Sequence, residues 1–131
     1  MTGETNLDQL IKAMDPVLHH DTFVFVTFSD SVVPNGLETI MTFREKEGLT
    51  AIATLASAEA TNTPFEFPCR MITLNIHSAL DAVGFLARIT TALAVEEMGV
   101  NPVSGFYHDH LFVPQARADD AMRVLNGMRE E

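Results

Sequence analysis

The sequence predicts an α+β protein made of two similar halves, each with an antiparallel sheet and helices packed on one side. Three observations lead to this fold class. The second half has the element order β-α-β-β-α, and the first half has the related order α-β-loop-β-β-α-β. The chain has 131 residues, of which 47% are apolar, so it is large enough to bury a core. We predict halves that span residues 1–66 and 67–131.

The first half opens with signals for a short helix and a strand. Asn6 is placed to cap the helix, and Gln9 follows three residues later, as in a capping box. Pro16 prevents the helix from continuing. Residues 22–28 are apolar on both faces, which predicts a strand covered on both sides or by a partner chain. Turn-forming residues follow over positions 29–36.

A hairpin and a second helix complete this half. Residues 38–44 and 49–53 have strand-like patterns, and residues 45–48 are predicted to form the turn between them. Thr39, Met41 and Phe43 are expected to share one face of the first strand. The Ala-rich segment 54–60 predicts a short helix that ends before Pro64.

The second half has clearer periodicity. The segment 72–76 alternates apolar and polar residues, which predicts a half-buried strand. A long helix is expected over residues 83–98, with Gly99 as its left-handed cap. A strand over 100–107 should follow, then a tight turn at His108 and Asp109.

A third strand over 110–114 and a last helix over 117–128 complete the second half. This order is typical of a ferredoxin-like split βαβ arrangement. The chain ends after the last helix, so the second half lacks a fourth strand of its own. A strand from the first half or from a second subunit would have to cover that edge.

Charge and composition exclude several functional classes. The 18 acidic residues outnumber the 8 basic ones, and the net charge of −10 repels phosphate backbones and anionic lipids. We therefore expect no nucleic-acid partner and no membrane association. No apolar run approaches the ~20 residues of a membrane span, and no signal peptide is visible. Cys69 is alone and fits a buried thiol in a reducing compartment. A cytoplasmic protein is predicted.

The most informative stretch is residues 81–93. Its spacing of Asp81, Gly84, Leu86, Ile89 and Leu93 resembles the signature of the ACT domain at its first strand–helix junction. Residues 97–103 look like that family's next element, in which an Asn opens the second strand. Residues 107–114 are similar to the third strand of the ACT branch found in amino-acid sensors of the arginine-sensing type.

The whole chain resembles a family of small bacterial proteins with two ACT domains in tandem. In one respect it departs from the family, because Val83 stands where many ACT domains have proline before the glycine. Proline would fix the start of the helix, so Val83 leaves that turn less rigid.

A ligand site is predicted at this junction. Gly84 lets the backbone approach a bound group, and the free N–H groups of the first helical turn favour a carboxylate. The resemblance implies a regulatory module with an amino acid as ligand, placed at an interface between two domains. The predicted ligand-binding residues are Asp81, Ala82, Val83, Gly84, Phe85, Leu86, Asn101 and His77. The alternative is structural, with Asp81 only capping the helix and Gly84 only allowing close packing.

Other candidate sites are weaker. His108 and His110 flank Asp109, and His19 and His20 form a pair, but a metal site needs three or four converging ligands. We expect no metal, no cofactor and no catalytic residues. The loop 34–36 is expected to be a solvated turn, although it could line a second crevice.

Three functional classes remain open. The first is a regulatory module that binds a small ligand, and the acidic charge with the arginine-sensor resemblance favours a cationic amino acid. The second is a structural or protein-interaction module. The third is a small enzyme that uses His77 or the histidines at positions 108 and 110. We also expect a homodimer, because of the open sheet edge and the strand at 22–28.

Overall fold

The structure is a computed structural model, and it describes residues 6–131. The chain forms two compact units. Unit 1 contains the residues up to 19 together with residues 70–131, and unit 2 contains residues 20–69. The elements in chain order are α1 (Leu7–Ala13), β1 (Pro16–Phe28), β2 (Thr39–Glu45), β3 (Gly48–Thr54), α2 (Leu55–Ala60), β4 (Glu66–Leu74), α3 (Phe85–Val95), β5 (Asn101–Ser104), β6 (Asp109–Pro114), a short 3-10 turn (Gln115–Arg117) and α4 (Ala118–Arg129).

Unit 1 is a four-stranded sheet with helices on one side. Its strand order is β1-β4-β6-β5, to which β1 contributes its beginning and β4 its end. Alternate residues of β4 and β6 face the helices α1, α3 and α4, and together they form the core. The fully buried members are Leu10, Met14, Ile72, Leu74, Ile89, Leu93, Leu111, Val113, Ala121 and Leu125.

The beginning of β1 supplies the fourth strand that the second half lacks. It lies beside β4 in the strand order. The backbone N–H of Asn75 donates to the carbonyl oxygen of Asp15 at 3.1 Å, and Nη2 of Arg70 donates to the carbonyl oxygen of His19 at 2.7 Å. The edge that the sequence left open is therefore covered within one chain.

Unit 2 has the related strand order β2-β3-β1-β4. β1 and β3 pair antiparallel from Phe23 opposite Thr54 to Phe28 opposite Leu49. The helix α2 covers one face of this sheet, and the buried residues there are Val24, Val26, Leu37, Ala51, Ala53 and Ala58. In both units the strand order is that of a ferredoxin-like fold, so the predicted α+β class is confirmed.

Several boundaries differ from the prediction. The strand expected at 22–28 begins at Pro16, and that expected at 72–76 runs from Glu66 to Leu74. The strand expected at 100–107 covers only Asn101–Ser104. The backbone N–H of Gly105 donates to the carbonyl oxygen of His108 at 2.9 Å, so the turn occupies residues 105–108. Asp109 is therefore the first residue of β6.

The helix expected at 83–98 is shorter at both ends. Gly84, with a φ of 91°, cannot be part of a right-handed helix and stands at the N-cap. The prediction of Gly99 as a left-handed cap is wrong. Glu97 has the positive φ of 59° there, because the helix ends at Val95 and the chain turns two residues before Gly99.

In β2, a register shift between Thr39 and Met41 breaks the single face predicted for Thr39, Met41 and Phe43. Bulges of this kind are common in edge strands. The division of the sequence at residues 66 and 67 stays a prediction. No helix formed by residues 6–131 is long and apolar enough to cross a membrane.

Candidate functional site

A small cavity lies in unit 1 where the chain passes from β4 into α3. Its volume is about 130 Å³, and it is lined by residues 78–80, 82 and 84–87 together with Ser104, Gly105 and Asp109. Three segments meet here: the turn before α3, the end of β5 and the start of β6. The cavity therefore lies at the turn that the sequence singled out.

The beginning of α3 forms one wall of this cavity. The N-cap is Gly84, and no side chain caps the helix. The N–H of Arg88 donates to the carbonyl oxygen of Gly84 at 2.9 Å, and the earlier N–H groups of the first turn have no acceptor within the helix. A Cβ atom at Gly84 would lie 3.5 Å from Cδ2 of Leu7, an ordinary contact. Glycine is needed here for its φ, not for space.

Asp109 also lines the cavity. Its side chain is buried, with 7% of its surface exposed. The hydroxyl of Ser104 donates to Oδ1 at 2.6 Å, and the hydroxyl of Ser78 donates to Oδ2 at 3.2 Å. Asp109 was expected only as a turn residue, and neither serine was a predicted site residue. No local pattern connects Asp109 with Ser78, which lies 31 residues away.

Four of the predicted site residues line the cavity: Ala82, Gly84, Phe85 and Leu86. Asp81 and Val83 do not line it, and both are exposed. Asp81 does not cap α3 either, which removes the structural explanation considered for it.

The remaining two predicted residues also lie outside the cavity lining. Asn101 is exposed at the beginning of β5. His77 is half-buried, and its ring centroid lies 5.5 Å from that of Tyr107. Whether any of the eight residues contacts a ligand stays a prediction.

A second polar group lies on the face of the unit 1 sheet opposite the helices. The Thr73 hydroxyl lies 2.7 Å from Nε2 of His19 and 2.9 Å from Nδ1 of His110. Burial lowers the pKa of His110, as do the nearby His108 and His19, whereas Asp109 raises it. Among residues 6–131, no group of three or more His, Cys, Asp or Glu side chains is placed to hold a metal ion.

Four exposed apolar side chains lie in the chain segments that line the cavity, and we call them the rim: Leu80, Val83, Phe106 and Tyr107. Leu80 lines the cavity, and Val83 lies between Ala82 and Gly84, which also line it. Phe106 and Tyr107 directly follow Gly105 and contact each other edge-to-face, with 5.0 Å between ring centroids. Clusters of exposed apolar residues of this kind are typical of surfaces that bind another molecule.

Comparison with known proteins agrees with this geometry. Residues 2–70 match the ACT domain, and residues 66–127 match the ACT domain a second time. No curated protein matches the sequence.

Among solved structures, the chain is similar to VC0802 from Vibrio cholerae, described as a protein of unknown function and possible transport protein. The two share 34% identity over 94% of this chain and 95% of that one, with a TM-score of 0.83. Atu0741 from Agrobacterium tumefaciens has 16% identity, coverage of 88% and 89%, and a TM-score of 0.76.

The regulatory subunit of aspartate kinase from Thermus thermophilus, in a ligand-free form, has the same fold. Its identity to this chain is 11%, over 89% of this chain and 98% of that one, with a TM-score of 0.63. The two matched segments, the fold and the position of the cavity lead to one conclusion: the chain belongs to the ACT-domain family and carries two ACT domains in tandem.

Proposed function

We propose that this chain is a regulatory module that senses an amino acid or a similar small carboxylate at the cavity beside α3. The observation that carries the proposal is the cavity itself, whose lining includes both the N-terminus of α3, which has no side-chain cap, and the buried carboxylate of Asp109. The free N–H groups of the first turn and the helix dipole attract a carboxylate. The ACT-domain family and the fold shared with an aspartate kinase regulatory subunit support a regulatory role.

The proposed role is binding without catalysis. Among residues 6–131, the polar side chains that line the cavity are one carboxylate and two hydroxyls, a set suited to holding a small polar molecule. Regulation then works through differential affinity, because a ligand shifts an equilibrium only as far as it binds one state better than another. We place this activity in the cytoplasm, which agrees with the single buried Cys69.

We further propose that the protein is a homodimer and that a second copy covers the rim. The sequence suggested a dimer for two reasons, the open sheet edge of the second half and the strand at 22–28 that is apolar on both faces, and neither reason remains. The open edge of the second half is covered by β1, and Phe23, Val24 and Val26 are already buried within the single chain. The support now comes from the exposed side chains of Leu80, Val83, Phe106 and Tyr107 beside the cavity. Two-fold dimers are the commonest closed oligomers.

The experiment is a screen of thermal unfolding with each of the twenty amino acids at millimolar concentration. A ligand present at a hundredfold excess over its dissociation constant stabilises the fold by about 2.7 kcal/mol. Positive results are titrated by the fluorescence of Tyr107, because the chain has one tyrosine and no tryptophan. Tyr107 lies two residues from the cavity-lining Gly105 and Asp109.

A second candidate function is that of a protein-interaction module that uses the rim without a small ligand. The exposure of Phe106 and Tyr107 favours it. If neither the twenty amino acids nor small carboxylates such as acetate, glycolate and L-lactate raise the unfolding temperature, the sensing proposal is wrong and the interaction module remains.

A further inference from the structure

Among residues 6–131, Asp109 supplies the one acidic side chain that lines the cavity, and it is buried. The hydroxyls of Ser104 and Ser78 each donate to a different oxygen of it. A carboxylate offers about four lone-pair directions, so two hydroxyl donors leave room for further donors. Each serine oxygen also keeps lone pairs with which to accept a hydrogen bond.

The charge of Asp109 has no partner of opposite sign. No Arg, Lys or His among residues 6–131 forms an ion pair with it. The acidic residues that form ion pairs in that part of the chain are Asp8, Glu96 and Asp120. The neighbouring His110 has a lowered pKa, which favours its neutral form. A buried carboxylate without a counter-charge is costly, so a cation in the cavity would be bound favourably.

The lining of the cavity combines two kinds of polar group. The first turn of α3 presents partial positive charge, and Asp109 supplies an acidic side chain. A volume of about 130 Å³ is well below the ~300–1,000 Å³ of pockets for drug-sized ligands. The cavity therefore favours a molecule of a few heavy atoms that carries an anionic and a cationic group close together.

We propose that Asp109 binds the ammonium group of a small zwitterionic amino acid and makes the site reject carboxylates that lack the amine. This inference rests on the proposed function and deepens it, because it assigns a residue and a required chemical group to the same site. Ser78 and Ser104 hold the carboxylate in place and accept from the remaining N–H groups of the ammonium. The ligand's own carboxylate lies at the N-terminus of α3.

The test compares matched probes on the wild-type protein: glycine with glycolate and acetate, L-alanine with L-lactate and propionate, and L-serine with glycerate. Within each set only the ammonium group is replaced. We expect at least one amino acid to bind, with an affinity at least tenfold higher than its hydroxy-acid and unsubstituted partners. Equal affinities for an amino acid and its partners would overturn the proposal.

The variant Asp109→Asn removes the charge and keeps the shape. Asp119→Asn is its control, because Asp119 is an exposed carboxylate in α4 and does not line the cavity. D109N should weaken the binding of the amino acid at least tenfold without weakening that of its unsubstituted carboxylate, and D119N should change neither. Unchanged amino-acid affinity in folded D109N would overturn the proposal. The wild-type comparison still decides it if D109N does not fold.

Different results would refute the proposed sensing function and the proposed role of Asp109. If wild type binds carboxylates with or without the amine equally well, sensing survives and the role of Asp109 is wrong. If wild type binds none of the probes and none of the twenty amino acids, the proposed function is wrong, and the role of Asp109 falls with it.

Discussion

The hydroxyl of Thr73 lies 2.9 Å from Nδ1 of His110, on the face of the unit 1 sheet opposite the helices. The same oxygen lies 2.7 Å from Nε2 of His19. A hydroxyl has one proton and two lone pairs, so Thr73 donates to at most one of the two rings and accepts an N–H from the other ring or from both.

The first prediction is that stability falls as the solution becomes acidic. The pKa of His110 is lowered from 6.5 in the folded state by burial first, and then by His108 and His19. The unfolded chain therefore binds more protons between the folded pKa and 6.5, and the free energy of unfolding decreases as pH falls through that window. Urea unfolding at a series of pH values below and above 6.5 measures this slope.

His110→Asn is the diagnostic variant, because its Oδ1 takes the place of Nδ1 opposite Thr73. The variant should have a flatter pH dependence than wild type. His20→Asn is the control, since His20 is exposed, and it should keep the wild-type slope. Identical slopes for all three proteins would refute the assignment to His110.

The second prediction is that Cys69 does not react in the folded protein. Its side chain is fully buried, Sγ lies 3.3 Å from the carbonyl oxygen of Phe23, and burial raises its pKa to about 12. At pH 8 only about one thiol in ten thousand would be a thiolate. Alkylation by iodoacetamide should be very slow in buffer and fast in urea. Complete reaction within minutes in buffer would contradict the burial of this thiol.

The third prediction concerns the β2–β3 turn. Gly48 has a φ of 149°, and a Cβ atom there would lie 2.6 Å from the carbonyl oxygen of Phe28. Gly48→Ala should lower the free energy of unfolding by roughly 2–4 kcal/mol. Gly127→Ala is the matched control, because nothing lies within 4 Å of a Cβ there. It sits in α4, so alanine should stabilise by about 0.5–1 kcal/mol. Chemical denaturation of both variants tests the pair.

The fourth prediction is that Gly84→Val abolishes stabilisation by ligand. A branched side chain at a φ of 91° distorts the N-terminus of α3, at a cost of about 1–3 kcal/mol, and so displaces the N–H groups that would bind a carboxylate. Gly99→Val is the control, since Gly99 has an ordinary φ and no neighbours within 4 Å of a Cβ. The thermal shift with ligand should vanish in the first variant and persist in the second. A full shift in folded Gly84→Val would place the site elsewhere.

The fifth prediction concerns assembly. Sedimentation equilibrium at micromolar concentration should show a species of twice 14.4 kDa. Phe106→Gln should shift it towards the monomer if the rim is the interface. Phe43→Gln tests pairing through the edge strand β2, because Phe43 and Phe106 are both 65% exposed. A wild-type monomer at every concentration would exclude the dimer, and dissociation by Phe43→Gln alone would move the interface to β2.

Some of the candidate site was predictable because its signals are local. Gly84 is needed for a positive φ where a strand passes into a helix, and that requirement acts within a few residues of chain. Asp109 was missed because its role depends on Ser78 and Ser104, which lie 31 and 5 residues away. Nothing in the sequence pattern around Asp109 shows that those hydroxyls will surround it.

The sequence by itself determined the elements. Asn6 caps α1 and accepts from the backbone N–H of Gln9, and apolar periodicity marked the buried faces, because caps and periodicity act between neighbours along the chain. The tertiary structure alone decided that β1 and β4 each contribute a strand to both units. Backbone hydrogen bonds are alike for every strand, so the choice of partner depends on the packing of distant side chains. The cavity beside Asp109 exists only once that packing is complete.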